Sequence, residues 1–527
     1  RPTLWVMQKL GCPESYTEPR ELYRMTARLG MTAATITDHN VIDGCLEIAD
    51  LPNTFISEEA TVYFPEDRCK VHVLTYDITE AQHTDITRVR ENIYEFVEYV
   101  RAQGIKHVLA HPLFGVNDRL TMDHVERLIL LFKNFEINGD QNGEANLNLQ
   151  RICERLTPEI IERLAIKHGF APAAPEIWRK NFTGGSDDHS SLHLARTYTE
   201  VMGATTLEEF WGGVHAGRAR IVGREASPKM LAHNVYGVAY QFFKDRFELG
   251  RFKNRDLFLK FLEQSLLQQT EGDETLFDRL ALKWRQRKRS RRVTIPDTLT
   301  EMFRSESEKI IKGDPKLLEL VHAPRGEQRA DTEDRWFEFV NRVSNRVLAE
   351  FGVRTIDRVM SARFFDIFHS IGSAGSLYAM LAPYFVAYSL HVKVRNFSKS
   401  VLAEFGTPSD AARVGAKAAK LAHFTDTFYD VNGVAYTLQQ QARTALNAGK
   451  DYVVITCEAP GANPLPNVRH FEPVGTYALP EYENLTLKFP PFLEILDFCY
   501  QQGITHLHSS TPGPLGLAAL AVSRILN

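Results

Sequence analysis

In the first part of this chain, histidine and carboxylate side chains of metal-binding type fall at the ends of short apolar runs. They are Thr37-Asp38-His39-Asn40, Glu59, His72, His111-Pro112 and Gly185-Ser186-Asp187-Asp188-His189. The runs from Ala33 to Ile36, His107 to Ala110 and Asn181 to Gly185 read as strands, and stretches of helical period separate them, so β and α alternate. A parallel αβ barrel brings the C-terminal ends of its strands to one face, where residues distant in sequence meet. The wide spacing therefore argues for one shared site. Neutral imidazole and carboxylate suit Zn, Mn or Fe, and one carboxylate can bridge two such ions. A cluster of that kind activates water and neutralises charge on a phosphoryl group.

The order Thr-Asp-His-Asn, Ser-Glu-Glu-Ala-Thr, Val-His-Val-Leu, Ala-His-Pro and Gly-Gly-Ser-Asp-Asp-His resembles the PHP family, named for polymerase and histidinol phosphatase. The resemblance covers roughly Arg1 to Arg224. It implies a distorted seven-stranded βα barrel with up to three metals and hydrolysis of phosphoesters. Carried over residue by residue, it implies His39, Glu59, His72, His111, Asp187 and His189 as ligands. Glu59 is preferred to Glu58 because it stands two residues before Thr61, as the family's ligand stands before its Ser or Thr. On the same resemblance Glu59, His72 and His111 form one metal position.

Asp188 is assigned to the catalytic machinery, and Asp188 and Asn138 are groups that would orient ligands. Arg196 and Arg218 are candidates to contact a substrate phosphate, against the plainer reading of a surface salt bridge for each. Lone histidines such as His107, His124 and His168 are expected to be structural. The family opens with a strand carrying His-x-His and then an Asp, whereas residues 1 to 15 contain no histidine. The expectation is a chain that starts downstream of that strand. Its barrel would lack the first strand and its metal positions would be incomplete, leaving a weak or inactive enzyme.

A chain of 527 residues suggests about three domains, and the character of the sequence divides it at 1–226, 227–413 and 414–527. A net charge of −4 provides no global field for nucleic acid. The six cysteines, at 12, 45, 69, 153, 457 and 499, show no CxxC spacing, which fits reduced thiols in a cytoplasmic protein. The middle part, from Met230 to about Phe405, has helical spacing and reads as all-α. It contains the basic run Lys283 to Arg292, which suits anionic lipid or RNA if it is not simply a solvated helix end. It also contains Ile371 to Val392, a stretch without Asp, Glu, Lys or Arg that is nominally long enough to cross a bilayer. Its serines, glycine, proline, histidine and tyrosines dilute the hydrophobicity, so a buried helix or helical hairpin is expected. Lys393, Arg395 and Lys399 follow it and would suit peripheral contact with an acidic membrane face.

From about Val414 the alternation returns. Leu421 to Thr425, Tyr452 to Thr456 and Thr505 to His508 read as strands, with helices from about Val434 to Asn447 and Pro491 to Gln502. That is the start of a Rossmann-like open sheet. Asn432-Gly433 would let the backbone turn tightly into a helix N-terminus that can face an anion. With Leu-Pro-Glu-Tyr-Glu at 479 to 483 and Thr-His-Leu-His-Ser-Ser-Thr-Pro-Gly-Pro-Leu-Gly at 505 to 516, the region resembles the N-terminal half of retaining, mannosyltransferase-like GT-B glycosyltransferases. The resemblance implies that Asn432 and Gly433 lie by the sugar-nucleotide phosphates and that His508, rather than His506, lies near the transferred sugar as a catalytic residue. It also implies that the donor nucleotide-sugar binds a second Rossmann-like domain, expected only in a full-length protein.

The sequence thus leads to the expectation of a fragment of a cytoplasmic bifunctional protein. A metal-dependent phosphoesterase would be joined to the acceptor half of a glycosyltransferase, both acting on a phosphorylated sugar or lipid-linked intermediate. The rival is a non-catalytic barrel that positions or regulates the transferase.

Overall fold

A computed structural model describes Cys12 and residues 15–247, 257–267, 297–322, 331–360, 367–406, 419–460, 464–479 and 486–526. The fold is mixed α/β. In the N-terminal region β1 (Ser57–Tyr63), β2 (Lys70–Tyr76), β3 (Lys106–Leu109), β4 (Asn134–Asn138) and β5 (Asn181–Gly185) form one sheet in that order. The short β1–β2 connection forces an antiparallel pair, and β2–β3 is antiparallel as well. The parallel arrangement expected from the alternating pattern is confined to β3, β4 and β5. Helices with local stop and start signals separate these strands. In the helix Pro158–His168, Thr157 caps the N-terminus, proline occupies the first turn and Gly169 ends it in the left-handed conformation. A two-stranded ribbon, β6 (Thr197–Glu200) with β7 (Arg220–Gly223), follows β5.

The segment from Ala33 to Ile36 does not form a ladder strand. It lies beside β1 through isolated bridges, Ala34 to Thr54 and His39 to Glu59. Side chains supplement the few backbone bonds there: Thr35 Oγ1 donates to the Phe55 carbonyl at 2.7 Å, and Asn40 Oδ1 accepts from the Thr61 amide at 2.8 Å.

The middle region is helical wherever it is described: Pro228–Phe247, Leu257–Leu266, Asp297–Gly313, Pro315–His322, Thr332–Met360 and Ile367–Glu404. Among the described residues no helix is long and apolar enough to cross a membrane. Much of the uncharged stretch from Ile371 is instead packed inside the molecule, with Tyr384 and Tyr388 fully buried. The basic run Lys283 to Arg292 lies outside the described residues.

The three cations after that stretch have partners within the chain. Lys393 pairs with Asp118 at 2.9 Å, Lys399 pairs with Glu144 at 3.0 Å, and the Arg395 guanidinium lies 4.9 Å from the centre of the Tyr500 ring. Their charges fasten the helix to its neighbours.

The C-terminal sheet is all parallel, in the order β10 (Val468–His470), β9 (Tyr452–Thr456), β8 (Leu421–Phe424), β13 (His506–Ser509). Counted along the chain this is 3-2-1-4, the order of an open doubly wound sheet. A hairpin of β11 (Gly475–Ala478) and β12 (Thr486–Phe489) is inserted after β10; residues 480–485, which include most of Leu-Pro-Glu-Tyr-Glu, lie outside the described residues. Alternating residues feed two cores. Val454 packs with Phe428, Leu438 and Ala442 on one face. On the other, Phe424 and Ile455 join Leu496 and Leu515 in a cluster that also holds Trp336, Tyr384 and Tyr388. The C-terminal sheet and the middle helices therefore share one core. The helix Ile367–Glu404 continues into the other: Val401, Leu402 and the adjoining Phe405 belong to the core of the β1–β5 region.

Candidate metal centre

Strand alternation decides between the two adjacent glutamates. Successive residues of β1 point to opposite faces, so Glu58 meets His83 at 3.0 Å while Glu59 turns toward the histidines. Glu59 Oε1 lies 2.8 Å from His72 Nδ1 and 3.2 Å from His111 Nε2, and those two nitrogens are 3.3 Å apart. His39 Nδ1 approaches the other carboxylate oxygen at 3.9 Å. In a tetrahedral site with bonds of about 2.1 Å the ligand atoms are separated by about 3.4 Å. The triangle of Glu59, His72 and His111 thus has the dimensions of one face of such a site. His39, Glu59 and His72 also offer ligand atoms that all lie within 4.8 Å of one another. Three imidazoles and a carboxylate fit a divalent Zn, Mn or Fe ion.

Electrostatics within the group are strongly coupled. Burial opposes the charge on Glu59, yet hydrogen bonds from His111 and His72 hold its carboxyl well below the usual range. Burial lowers His72. His111, also opposed by burial, is carried up to about 9 by its hydrogen bond to Glu59 and by the charges of Glu59, Asp187 and Glu136.

Asp187 and His189 form the other half of the cluster, with Asp187 Oδ1 at 3.3 Å from His189 Nε2. Asn138 Nδ2 donates to Asp187 Oδ2 at 3.0 Å and to Glu136 Oε2 at 2.9 Å. Glu136 Oε2 in turn accepts from the His111 backbone amide at 3.0 Å. His111 and Asp187 both have left-handed backbones, φ 28° and 49°. Non-glycine residues rarely adopt that region, and such conformations concentrate at sites where the surroundings enforce them.

Asp188 holds its own loop: its Oδ1 accepts from the His193 amide at 3.0 Å. That oxygen acts as an orienting group, while the buried Oδ2 makes no hydrogen bond among the described residues.

Two buried carboxylates, Glu136 and Asp140, were missed by the sequence reading. Burial, together with the charge of Asp187, pushes Glu136 up to about 7 and raises Asp140 further above its usual range. The available signal was Asn-Phe-Glu-Ile-Asn at 134 to 138, a strand with polar residues at every second position and no exposed face.

Of the two arginines considered for a phosphate, Arg196 matches the alternative reading of a salt bridge. Arg196 pairs with Glu333 at 2.5 Å and donates to His193 Nδ1 at 2.6 Å, so its charge is spent on joining the loop to the helix Thr332–Met360. Arg218 is exposed and lies beyond the Arg220 end of the β6–β7 ribbon. The opposite end, Thr197 with Gly223, is the one that abuts Gly139 and hence the ligand loops.

His107, His124 and His168 have structural partners: the Ile105 carbonyl, the Thr121 hydroxyl and Glu126, respectively. Asp123, Glu126 and His168 offer a second metal-like grouping, but Arg127 pairs with Asp123 and Lys167 with Glu126. It is an ion-pair network with its own cations. All six cysteines are buried as thiols rather than joined in disulfides.

In the C-terminal sheet, Asn432 is the N-cap of the helix Gly433–Asn447, its Oδ1 accepting from the Ala435 amide at 2.8 Å. Gly433 starts that helix without a left-handed backbone, and a Cβ there would meet nothing within 4 Å. The tight turn expected to require it is made by extended Asn432, with φ −149°. The N-terminus of the helix Pro514–Leu526 is filled by Asp426, whose carboxylate accepts from the Leu515 amide at 3.2 Å and the Thr511 hydroxyl at 2.6 Å. His508 is exposed on β13 opposite His423 of β8, with ring centres 5.7 Å apart, and His506 is exposed as well.

No family model matches the chain, and no curated protein matches it.

Proposed function

We propose that the N-terminal region is a metal-dependent phosphoesterase of the PHP kind, a distorted βα barrel, and that the C-terminal sheet is the acceptor half of a GT-B glycosyltransferase. The observation that carries the first part is the Glu59, His72 and His111 triangle, joined by His39 and neighboured by Asp187 and His189. Those residues would hold a divalent ion, which when bound supplies a Lewis acid for water and phosphoryl oxygen. Glu59 would anchor it, with His72 and His111 fixing the coordination direction. Glu136 holds the His111 backbone, and Asn138 orients Asp187. The second part is supported by the 3-2-1-4 strand order and by the exposed His508 on the edge strand. A phosphorylated sugar or glycolipid intermediate would serve both activities.

The test is to strip the purified chain of metal, reload it with Mn or Zn, and assay release of phosphate or nitrophenol from mono- and diesters. Stoichiometric uptake with metal-dependent hydrolysis that His111→Ala abolishes is expected. Absence of both uptake and hydrolysis would sink the reading.

A second reading, a non-catalytic barrel supporting the transferase, is favoured by the way Glu59 is already matched by two imidazoles. Under it His111→Ala would leave the function of the whole protein intact.

A further inference from the structure

The metal-ligand loop is gripped by a helix that the sequence assigns to a different region. Asn234, Gly237 and Gln241 are spaced three and four residues apart on the helix Pro228–Phe247 and therefore lie along one face. All three meet Ser190, the residue after the ligand His189. Ser190 Oγ donates to Asn234 Oδ1 at 2.6 Å, Gln241 Nε2 donates to the Ser190 carbonyl at 3.1 Å, and a Cβ on Gly237 would lie 2.9 Å from Ser190 Cβ. The other end of the Asn234 amide donates from Nδ2 to Asp140 Oδ1 at 3.2 Å. One buried side chain thus links the loop after β5 to the loop after β4.

We propose that Asn234 is a positioning residue for the Asp187 and His189 half of the metal centre, an inference that rests on the metal-dependent reading above. The loop needs such a hold because Asp187 and Ser191 flank it with left-handed backbones, φ 49° and 70°. The amide is directional. Its carbonyl oxygen stands 2.6 Å from Ser190 Oγ, closer than the competing Asp188 Oδ1 at 3.3 Å, and its amino group faces a carboxylate, so neither a hydrocarbon nor a reversed amide reproduces it. Asn234 and Ser190 are both buried, at 4% and 0% exposure, so a lost partner is not replaced by bulk water.

The experiment titrates the whole, metal-stripped chain with cobalt(II) chloride and reads both affinity and the visible ligand-field spectrum. Asn234→Ala should weaken cobalt binding by about 10- to 100-fold and shift the bands. Tyr236→Phe is the packing control. It lies on the same helix, its hydroxyl donates to the Met380 carbonyl, and its ring packs on Trp336 and Tyr384. It should lower the melting temperature and leave cobalt affinity and spectrum unchanged.

Cobalt binding by Asn234→Ala within about twofold of the parent, or an equal loss in Tyr236→Phe, overturns the proposal. If Asn234→Ala does not fold, Gln241→Leu removes only the donor to the Ser190 carbonyl and should weaken binding severalfold; an unchanged affinity there counts equally against it. A parent chain that takes up no cobalt defeats the metal-dependent reading and this inference together, whereas a loading parent with unaffected variants defeats this inference alone.

Discussion

The N-terminal cluster and the C-terminal sheet both place polar side chains at strand ends, but the two regions use them differently. Around Glu59, six separate segments bring together buried Glu59, His72, His111, Glu136 and Asp140 and half-buried His39, Asp187 and His189, which pair mainly with one another. At the ends of β8 and β13 the comparable groups either cap a helix, as Asn432 does for the helix it begins and Asp426 does across the sheet for the helix Pro514–Leu526, or stand in solvent, as His506 and His508 do. Capping satisfies backbone groups that any helix end leaves open. Convergence across the chain brings like charges such as Glu136, Asp140 and Asp187 together at a cost that local structure does not require. Of the two regions, the first has the stronger claim to chemistry.

The contrast breaks most directly at Glu59. Glu59→Gln should lower divalent-metal affinity more than about a hundredfold, beyond the range of an outer-contact change, with isothermal titration as the measure. The matching change in the other region, His508→Gln, should leave metal affinity unaltered, and equal losses would erase the distinction.

Acid should act next most strongly, and through the helices between the regions. Burial depresses His391 to about 3, helped by Arg395, and His233 to about 4. Both imidazoles are neutral in the folded protein but take protons when unfolded below about pH 6.5. Their contribution is complete above that pH and is lost as pH falls toward the folded values. At pH 5 each should cost about 2 kcal/mol. Urea titrations at pH 7.5 and 5 should show the drop, and His391→Phe should remove about half of it.

Smaller effects belong to the helix Gly433–Asn447. Asn432→Ala removes the cap and should destabilise by about 1 kcal/mol. Gly433→Ala should be neutral or stabilise by about 0.5 kcal/mol, since the backbone is helical and the space is open. A loss of several kcal/mol in thermal or urea unfolding would mean that the position serves something other than the helix.

Much of this was legible in the sequence. The expected strands at 107–110, 181–185, 421–425, 452–456 and 505–508 match observed strands to within one residue, because apolar runs between turn residues have few alternatives. The choice of Glu59 over Glu58 agrees with the alternation of β1. The antiparallel start of the first sheet was not legible, and neither was the bridged character of the Ala33 to Ile36 segment. Both depend on which edge a strand meets, and apolar pattern does not encode that. Glu136, Asp140 and Asn234 escaped for a related reason. Each matters through partners that are distant in sequence, 94 residues in the case of Asn234 and Asp140, and no motif spans that gap. Arg196 follows the plainer of its two readings, a salt bridge, but its partner Glu333, distant in sequence, was not legible.

The helix Ile367–Glu404 also sets an order of events during synthesis. Val401, Leu402 and Phe405 complete the core around β1 to β5. A ribosome adding roughly 5–20 residues per second delivers them only many seconds after β5 has emerged. Until then the nascent sheet presents an open apolar seat, and the region that folds first in sequence can finish folding only after most of the chain has been made.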